Sequence, residues 1–537
     1  MITAASAMVK CLQKEGVQVV FGLPGATICP FYDALYHSNI KHILVRQEQG
    51  AGHAANGYAR ITNKPGVCIA TSGPGALNLI TAIATAYMDS IPIVVITGQV
   101  ASDLLGRDVF QEADITGAAE PFVKHSFLVS DAKELPSIMK SAFLIASTGR
   151  QGPVLIDVPV DIQKEMIDFS YPETIEIRSY HPNIQGHSGQ IKRVLNALAE
   201  SKKPLICAGG GVFSANACKE LTAFSQKSNI PVVSTMMGLS AVSPTHSLYY
   251  GMIGMNGSEI ANHAMNQADV IILLGARVGD RAIMSPIGLS KTAKIIHIDI
   301  DPAEIGKNIV TNIPLVGDAK HILSEMIQSP PTADYSKWIT ELKSYTAKPL
   351  KSRKTSKYVN PHEFLSKLME KADSNACIIA DVGQNQIWTA RNYCIEDGRF
   401  LTSGGMGTMG YSIPAAIGAK LASPNAQVVA ICGDGAFQMQ MMELATIKEN
   451  QITVKIIVMN NHALGLVKEV QDQQYNKNEI AVQLDGNPDF VKLAKAYQIN
   501  AKRITTLKNI DDVLSEFLEN DTSFVLECIV SPDEPTL

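Results

Sequence analysis

Residues 433–461 read GDGAFQMQMMELATIKENQITVKIIVMNN, and this stretch decides the fold. It joins the end of one apolar run, AQVVAICGDG, to a second apolar run, VKIIVMNN, through the helix-length segment QMQMMELATIKEN. A strand, a helix and a second strand in this order predict a crossover between two parallel strands. Because ligands bind where the carboxyl ends of parallel strands meet, we expect Asp434 and Asn461 to lie close together at that edge.

The same alternation of strand and helix runs through the whole chain. Short apolar runs such as VQVVFGL, IPIVVITG, ADVIILLG and ACIIADVG alternate with helix-length amphipathic segments. This pattern predicts an α/β protein with three doubly wound parallel-sheet domains, over residues 1–165, 188–330 and 358–537. Two polar stretches that contain proline, 164–189 and 329–361, interrupt the alternation and are predicted to be linkers.

Composition excludes several classes of protein. The 46 basic and 51 acidic residues give a net charge of −5 without a concentrated basic stretch, which argues against nucleic acid as a partner. No apolar run approaches the roughly 18 residues of a membrane span, and the N-terminus lacks the pattern of a signal peptide. The nine cysteines are scattered without a CxxC pair, as expected of reduced core thiols. We therefore expect a cytoplasmic protein without a membrane partner.

Asp434 and Asn461 have the chemistry of a magnesium site. A carboxylate and an amide oxygen are hard ligands that suit Mg²⁺, which takes its remaining ligands from phosphate and water. Gly433 and Gly435 flank the aspartate and would let the backbone approach a diphosphate closely. A GDG sequence alone is also an ordinary turn at a strand end. The asparagine that follows 27 positions after the aspartate makes the pair the signature of thiamine diphosphate enzymes.

A thiamine diphosphate enzyme needs a second element, a carboxylate that hydrogen-bonds the pyrimidine ring of the cofactor and favours its reactive tautomer. The segment LVRQEQGAGHAANGYAR offers Glu48, which follows the predicted strand HILV and precedes a helix of small residues. Taken alone, Glu48 would more often be a surface carboxylate. Together with the GDG and NN elements, it is the candidate for the activating acid.

With these elements the chain closely resembles the catalytic subunits of acetohydroxyacid synthase, also called acetolactate synthase. Its motifs occur in the family's order and spacing over nearly the whole length: FGLPGATICPFYDAL, EQGAGHAANGYAR, TSGPGALNLITAIATAYMDSIPIVVITGQV, FQEADITG, GARVGDR, HIDIDPAEIGKN, DVGQNQ, LTSGGMGTMGYSIPAAIGAK and GDG…NNHALGLV. The resemblance implies a pyrimidine-binding domain first, a central Rossmann-like domain that binds FAD, and a diphosphate-binding domain last. It also implies a homodimer or tetramer in which Glu48 of one chain meets Asp434 of another, and it leaves open whether a small regulatory subunit binds.

The resemblance implies a role for each matching residue. Glu48 would activate thiamine diphosphate, while Asp434, Asn461 and the main-chain carbonyl of Ala463 would bind Mg²⁺. Met409 would hold the cofactor in a bent shape, unless it simply packs in the core. The remaining cofactor contacts implied are Gly25, Pro74, Asn78, Gly209, Gly210, Gly211, Gly275, Arg277, Asp299, Asp318, Gln384, Gly407, Gly433, Gly435 and Ala436.

Four further residues are implied around the substrate. Phe110 and Gln111 of the FQE sequence would border the pocket, and Lys124 would lie near its mouth, unless it belongs to an exposed turn. Arg281 resembles the arginine that grips the carboxylate of the second 2-oxo acid, a task that suits a planar bidentate donor. The reaction implied is decarboxylation of pyruvate and transfer of the two-carbon unit to a second 2-oxo acid, giving 2-acetolactate or 2-aceto-2-hydroxybutanoate in branched-chain amino acid biosynthesis. FAD would be structural.

The chain departs from the family's pattern at several positions. Val278 and Gly279 alter the middle of the GARVGDR motif, which weakens the prediction of FAD. Ala26 replaces a glycine of the PGGA turn and would be strained if the backbone there needs a positive φ. Val470 stands where many members carry a tryptophan that favours 2-oxobutanoate, so we predict a weak preference for that acceptor. The sequence stops at SPDEPTL where members usually continue with an apolar tail, so either the site closes differently or the tail is absent.

Two kinds of alternative stay open on the sequence. The first is another thiamine diphosphate enzyme acting on pyruvate-like substrates, such as an FAD-independent catabolic acetolactate synthase, a pyruvate oxidase or a sulfoacetaldehyde acetyltransferase. The FQEAD and VKH sequences and Arg281 argue against it. The second is a catalytically silent homologue, which intact Glu48, Asp434 and Asn461 disfavour.

Overall fold

The computed structural model describes residues 1–283, 285–346 and 357–536. These residues form three six-stranded sheets, and the strand pairings within each of them are parallel. Helices connect the strands and cover the sheets, which explains why the strands are near-continuous runs of apolar residues. The predicted fold class, three doubly wound α/β domains, is confirmed.

The first sheet lies in the N-terminal part of the chain. A short antiparallel pair, β1 (Ile2–Thr3) and β8 (Met166–Ile167), flanks it in sequence. The six strands of the sheet are β2 (Val19–Gly22), β3 (Lys41–Leu44), β4 (Gly66–Ala70), β5 (Ile93–Gln99), β6 (His125–Leu128) and β7 (Val154–Pro159). Its helices are α1 (Ala4–Lys14), α2 (Cys29–Tyr36), α3 (Glu48–Thr62), α4 (Pro74–Asn78), α5 (Ile80–Asp89), α6 (Ile115–Ala119), α7 (Leu135–Ser147) and α8 (Val160–Lys164). The strand order is β3-β2-β4-β5-β7-β6. The order reverses between β2 and β4, and the loops after these strands open a crevice of the kind that binds ligands.

The central sheet has the order of a dinucleotide-binding domain. Its strands are β9 (Pro204–Ala208), β10 (Val232–Ser234), β11 (Tyr249–Met252), β12 (Val270–Leu274), β13 (Lys294–Asp299) and β14 (Ile313–Val316). Its helices are α9 (Ser188–Glu200), α10 (Gly211–Ser214), α11 (Cys218–Ser228), α12 (Glu259–Gln267), α13 (Pro286–Thr292), α14 (Ala319–Met326) and α15 (Ser336–Ser344). The order β11-β10-β9-β12-β13-β14 places the reversal, and hence the ligand crevice, between β9 and β12.

The third sheet repeats the topology of the first. Its strands are β15 (Cys377–Ala380), β16 (Arg399–Leu401), β17 (Val428–Gly433), β18 (Lys455–Asn460), β19 (Asn500–Ile504) and β20 (Phe524–Ile529). Its helices are α16 (Pro361–Lys371), α17 (Gln384–Asn392), α18 (Ser412–Ala422), α19 (Asp434–Gln440), α20 (Glu443–Glu449), α21 (Gly465–Gln474), α22 (Phe490–Ala496) and α23 (Ile510–Glu519). The order β16-β15-β17-β18-β20-β19 reverses between β15 and β17, which places the crevice where these two strands end.

The first and third domains share one hydrophobic core. Helices α3 and α18 pack at their interface so closely that a Cβ on Gly57 would lie 2.1 Å from the carbonyl oxygen of Ala415. A Cβ on Gly418 would lie 1.9 Å from the carbonyl oxygen of Ala54. Only glycine permits this approach, since any larger residue would push the two backbones apart. The GAGHAANG and IPAAIGA sequences are therefore small-residue surfaces that hold the two domains together.

One predicted linker is wrong over part of its length. Within 329–361 the chain forms α15, whose Trp338 is 1% exposed and donates its indole N–H to the carbonyl of Pro204 at 3.1 Å. The apolar positions of α15 are buried against the central domain, which a polar composition alone did not reveal. Residues 347–356 of the same stretch lie outside the described residues.

Two further findings concern the cysteines and the lengths of the apolar helices. All nine cysteines are free thiols, and six of them are buried. In the part of the chain that the structure describes, no helix is both long and apolar enough to cross a bilayer.

Candidate active site

Two polar residues follow the central strands of the third sheet. Gly433 at the end of β17 pairs with Met459 of β18, so these neighbouring strands end side by side. Asp434 then begins α19, and Asn461 directly follows β18. Their relative exposures are 1% and 6%. The crossover thus places a buried carboxylate and a buried amide at the same edge of the sheet.

The Asp434 carboxylate is buried without a cation. Asn487 donates Nδ2 to Asp434 Oδ2 at 2.7 Å and, at 3.3 Å, to Asn460 Oδ1. Among the described residues no lysine or arginine forms an ion pair with Asp434. Burial raises the pKa of Asp434 to about 6, because desolvation penalises its charged form. A divalent cation would compensate this buried charge.

Asn461 and Gln384 form a pair of hydrogen-bonded amides. Asn461 Nδ2 donates to Gln384 Oε1 at 2.9 Å, and the main-chain N–H of Ala463 donates to Asn461 Oδ1 at 3.1 Å. Gln384 is the first residue of α17, follows β15 and is 5% exposed. Gln384 therefore lies at the crevice between β15 and β17. Three predicted residues, Gln384, Asn461 and Ala463, are joined there by hydrogen bonds.

The donor set at this edge fits magnesium. Asp434 offers a carboxylate oxygen, Asn461 an amide oxygen and Ala463 a main-chain carbonyl, and all three residues are buried. Mg²⁺ prefers such oxygen ligands and keeps open positions for phosphate and water. In the described ranges no group of three or more His, Cys, Asp or Glu side chains forms a separate metal cluster. These residues therefore fit a metal that is completed by a phosphate ligand.

The loop between β16 and α18 lies over the start of α19. Gly407 has a φ of +69°, and Met409 packs its side chain against the shared core. A Cβ on Gly435 would meet Met409 Cε at 3.5 Å, so Met409 borders the first turn of α19. In the same helix Ala436 is 2% exposed. The structure thus brings Met409, Gly435 and Ala436 together beside Asp434.

A buried carboxylate that the sequence analysis missed fixes this loop. Asp381 follows β15 and is 1% exposed; it accepts from Gly410 N at 2.9 Å and from Ser412 N at 2.8 Å. Burial raises its pKa. The signal was present in DVGQNQ, where Asp381 follows a buried strand as Asp434 does. The residues that donate to Asp381 lie about 30 positions further along the chain, so the sequence did not connect them.

Glu48 sits at the corresponding crevice of the first sheet. It begins α3, is 6% exposed, and accepts a hydrogen bond to Oε2 from Asn78 Nδ2 at 2.8 Å. Pro74 begins α4, which ends at Asn78. Gly25 precedes a short 3₁₀ helix that starts at Ala26, and a Cβ on Gly25 would lie 2.5 Å from the Thr71 side chain.

Ala26 has no positive φ, so the strain considered for this position does not arise. The turn instead runs into the 3₁₀ helix Ala26–Ile28, a conformation that alanine adopts freely.

The helix that carries Glu48 approaches α19 at the end opposite Asp434. Gln440, the last residue of α19, donates Nε2 to Gln47 Oε1 at 3.1 Å. Asp434 begins the same helix, about 9 Å away at 1.5 Å per residue. Among the described residues no hydrogen bond or ion pair joins Glu48 to Asp434 or Asn461. Helix α19 therefore links the start of α3 to the first of the predicted metal ligands.

The loop with Phe110 and Gln111 is shaped by its backbone. Phe110 is 87% exposed, and Gln111 has a φ of +59°. Its main chain lies against Gly73, where a Cβ would be 2.8 Å from the Gln111 carbonyl oxygen. Because Gly73 immediately precedes α4, this contact places the loop next to Pro74 and the crevice that holds Glu48.

Lys124 has different surroundings from those implied by the family. Its ammonium donates to the carbonyls of Ile145 and Thr148 (2.7 Å to the latter) and to the Tyr180 hydroxyl at 3.0 Å. Burial lowers its pKa to about 8. The side chain thus caps the C-terminal end of α7 and ties down the segment that contains Tyr180. None of its partners is a predicted site residue.

Glycine-rich strand ends form the crevice of the central sheet. Gly209 and Gly211 follow β9, and Gly275, with a φ of +52°, follows β12. A Cβ on Gly209 would lie 2.2 Å from the Gly275 carbonyl oxygen, and one on Gly211 would lie 2.7 Å from Gly275 Cα. Gly210 between them borders a small cavity where all three domains meet. The glycines are required because two backbones touch at the reversal of strand order.

The other residues predicted for the central domain have distinct positions. Asp299 ends β13, and burial raises its pKa to about 6. An acid there, after a glycine-rich crevice, suits a ribose hydroxyl. Arg277 is half-buried next to Gly275. Asp318 caps α14 by accepting from two main-chain N–H groups, at 2.9 and 3.1 Å, and the Arg281 side chain is 75% exposed.

Models of three protein families match the chain in succession. They are described as thiamine pyrophosphate enzyme N-terminal TPP binding domain over residues 2–118, central domain over 191–326, and C-terminal TPP binding domain over 381–528.

Curated relatives are similar over almost the whole chain. A probable acetolactate synthase large subunit of Methanococcus aeolicus is 43% identical, covering 99% of this chain and 92% of the relative. Acetolactate synthase large subunits of Buchnera aphidicola (subsp. Schizaphis graminum) and Haemophilus influenzae are 44% and 43% identical, each over 96% of this chain and over 91% and 92% of their own lengths.

Proposed function

Because this chain belongs to the acetolactate synthase large-subunit family of thiamine pyrophosphate enzymes, we propose that it makes 2-acetolactate. Pyruvate loses CO₂, and the remaining two-carbon unit is joined to a second 2-oxo acid. With pyruvate as acceptor the product is 2-acetolactate, and with 2-oxobutanoate it is 2-aceto-2-hydroxybutanoate. The observation that carries the proposal is the buried Asp434 carboxylate beside the Asn461–Gln384 amide pair at the crevice of the third sheet.

Thiamine diphosphate, the same compound as thiamine pyrophosphate, supplies an electron sink for the decarboxylation of a 2-oxo acid when it is bound. Asp434, Asn461 and the carbonyl of Ala463 hold Mg²⁺ in the proposed site, since they are buried oxygen donors. Gly433 and Gly435 leave the main chain at the start of α19 accessible to a diphosphate. Further contacts come from Gln384, Gly407, Met409 and Ala436.

Glu48 acts on the pyrimidine ring of the cofactor in the proposed mechanism. Its carboxylate is buried and held by Asn78, so it is fixed in position. When the cofactor is bound, Glu48 would favour the reactive tautomer, whose ring nitrogen carries a proton, by accepting a hydrogen bond from that N–H. We propose that the complete site forms between two chains, one supplying Glu48 and the other Asp434. Gly25 and Pro74 then border the pyrimidine.

Exposed apolar side chains near Asp434 support a second chain in this position. Met439 on α19 is 47% exposed, and Val467 and Val470 on α21 are 49% and 40% exposed. We propose a homodimer as the minimal active unit, which can pair into a tetramer, in the cytoplasm. The relatives are named large subunits, and a small regulatory partner is proposed by analogy with that name.

We propose that the central domain binds FAD. The strand order of its sheet and the touching glycine backbones at the reversal support a dinucleotide site. In the proposed site Asp299 at the end of β13 would bind the ribose and Arg277 the phosphates. The close backbone surface would be formed by Gly209, Gly210, Gly211 and Gly275. Asp318 supports this role less, since its carboxylate already caps α14.

Substrate residues in the proposal come from two domains. Phe110 and Gln111 border the pocket because their loop packs against Gly73 and thus beside the pyrimidine crevice. Arg281 is exposed, and its Nε lies 3.6 Å from the exposed carboxylate of its neighbour Asp280. The guanidinium would exchange this partner for the carboxylate of the second 2-oxo acid. Lys124 supports a substrate role least, because three acceptors already surround its ammonium.

The proposal is tested by cofactor binding in variants of the metal site. Asp434→Ala and Asn461→Ala are each expected to abolish Mg²⁺-dependent binding of thiamine diphosphate, measured by calorimetry, and to leave the FAD absorbance of reconstituted protein unchanged. The matched control is Asp521→Ala, which removes an exposed aspartate just before β20, at the opposite end of the same sheet. Equal cofactor affinity in all three variants would contradict the proposed metal ligands.

A further inference from the structure

The last described residues of the chain, 531–536, form neither helix nor strand, yet three of the six are buried. Ser531, Glu534 and Thr536 are 8%, 3% and 5% exposed. The segment begins two residues after the end of β20. The residue between them, Val530, donates its main-chain N–H to the Asn460 carbonyl at 2.9 Å. The segment therefore starts beside the carboxyl end of β18, one residue before Asn461. We call residues 531–536 the C-terminal strap.

The strap contacts both of the helices that border the site. Trp388 of α17 donates its indole N–H to the Pro535 carbonyl at 3.0 Å. The main-chain N–H of Thr536 donates to Glu469 Oε1 of α21 at 2.6 Å. Asp533 pairs with Lys468 of α21 at 3.3 Å. These contacts span α17 and α21, the two helices that follow β15 and β18.

A fourth attachment reaches the proposed metal site. Gln384 Nε2 donates to the Glu534 carbonyl at 2.9 Å. A carbonyl can only accept, so it requires the NH₂ end of the Gln384 amide to face the strap. The Oε1 end must then face Asn461, where it accepts from Nδ2 at 2.9 Å.

The same constraint passes on to the metal ligand. With its NH₂ group directed to Gln384, Asn461 has only its Oδ1 available on the other side. Oδ1 is the atom that a hard cation needs, and the N–H of Ala463 donates to it at 3.1 Å. A rotated Asn461 amide would present two N–H donors to a cation and could not bind it.

We propose that the C-terminal strap is a positioning element for Mg²⁺: its Glu534 carbonyl sets the orientation of the Gln384 amide, which sets the orientation of Asn461. This inference rests on the proposed function, in which Asn461 is a metal ligand. Groups that orient metal ligands from the outside change metal affinity by about tenfold or more when they are removed. The strap therefore governs how much Mg²⁺ the protein needs to bind thiamine diphosphate.

The chain offers a matched pair of tryptophans as a test. Trp388 and Trp338 are the two tryptophans of the sequence, are each 1% exposed, and each donate an indole N–H to a proline carbonyl, at 3.0 and 3.1 Å. Only Trp388 binds the strap. Trp388→Phe is expected to raise the Mg²⁺ concentration that half-saturates binding of thiamine diphosphate by about three- to tenfold. Trp338→Phe should leave that concentration within twofold of wild type. Its effect on Tm should be similar to that of Trp388→Phe.

Calorimetric titration of the full-length protein with thiamine diphosphate at several Mg²⁺ concentrations measures this difference. Ending the chain after Pro532 should raise the Mg²⁺ requirement further, by about tenfold or more. Equal Mg²⁺ requirements in Trp388→Phe and Trp338→Phe would overturn the proposal, whether or not the shortened chain folds. A wild-type protein that binds the cofactor but forms no acetolactate would overturn the proposed function alone, and the strap would still be supported by the same shift.

Discussion

Asp89 provides the sharpest test of how the first and third domains are joined. Its carboxylate is fully buried at the end of α5 and accepts from Arg60 Nη2 at 2.7 Å, Gly404 N at 3.2 Å and Gly405 N at 2.7 Å. The last two belong to the third domain, in the loop that leads to Met409. Asp89→Asn keeps one acceptor oxygen but removes the charge that compensates Arg60.

The expected loss follows from burial. The side chains of Arg60 and Asp89 are 6% and 0% exposed, so water cannot replace the missing charge. Breaking a buried pair by removing one partner costs about 3–5 kcal/mol, and one retained hydrogen bond places the loss near about 3 kcal/mol. If the unit that unfolds cooperatively has the size of one domain, about 150–250 residues, this loss corresponds to a fall in Tm of roughly 6–12 °C.

An exposed ion pair with the same geometry is the control. Lys502 and Glu516 also lie 2.7 Å apart, but their side chains are 42% and 53% exposed. Glu516→Gln should therefore change Tm by less than about 2 °C. Differential scanning calorimetry of the two variants, with titration of thiamine diphosphate to report on the Gly404–Gly405 loop, measures both effects. Equal Tm shifts for the buried and the exposed pair would refute the reasoning.

Three further predictions concern the proposed site and its surroundings. Glu48→Gln keeps the acceptor for Asn78 but can neither exchange a proton with the pyrimidine nitrogen nor carry a negative charge, so kcat should fall by about 100-fold or more with Tm little changed; steady-state kinetics that show wild-type kcat would contradict the role. Burial raises the pKa of Asp157 to about 7 from an ordinary value near about 4, so its stabilising contribution is complete below pH about 4 and is lost as the pH rises through 7. The Tm of Asp157→Asn relative to wild type should therefore increase between pH 5 and pH 8, and a pH-independent difference would argue against it. Val470→Trp should shift the acceptor preference toward 2-oxobutanoate by about 1–3 kcal/mol in a competition assay with pyruvate, and an unchanged product ratio would place Val470 outside the acceptor pocket.

Much of the fold was predictable because it rests on local patterns. The runs that became β17 and β18 are buried along their whole length, and such runs are the expected sequence of strands covered on both faces. The arrangement of Asp434 and Asn461 at neighbouring strand ends followed from the crossover between them. The need for an activating carboxylate pointed to Glu48, and the family resemblance then pointed to Gln384. No sequence pattern specifies the hydrogen bonds of either residue.

Contacts between distant parts of the chain could not be predicted. Asp89 finds its partners at Gly404 and Gly405, more than 300 residues away, and nothing near Asp89 in the sequence marks that meeting. The stretch that contains Trp338 is polar in composition and was predicted to be a linker, but it forms a helix. Burial of Trp338 against the central domain outweighs the local propensity of the stretch. The role implied for Lys124 depends on which acceptors surround its ammonium, and those come from the end of α7 and from Tyr180.

The most direct test of the account is the product formed from pyruvate. Purified protein with Mg²⁺, thiamine diphosphate and FAD is incubated with ¹³C-labelled pyruvate, and the products are identified by NMR as CO₂ is released. We predict 2-acetolactate, one molecule for each CO₂ and for each two molecules of pyruvate consumed. Acetaldehyde, acetyl phosphate or unchanged pyruvate would contradict the account, since each would mean that the two-carbon unit is not transferred to a second 2-oxo acid.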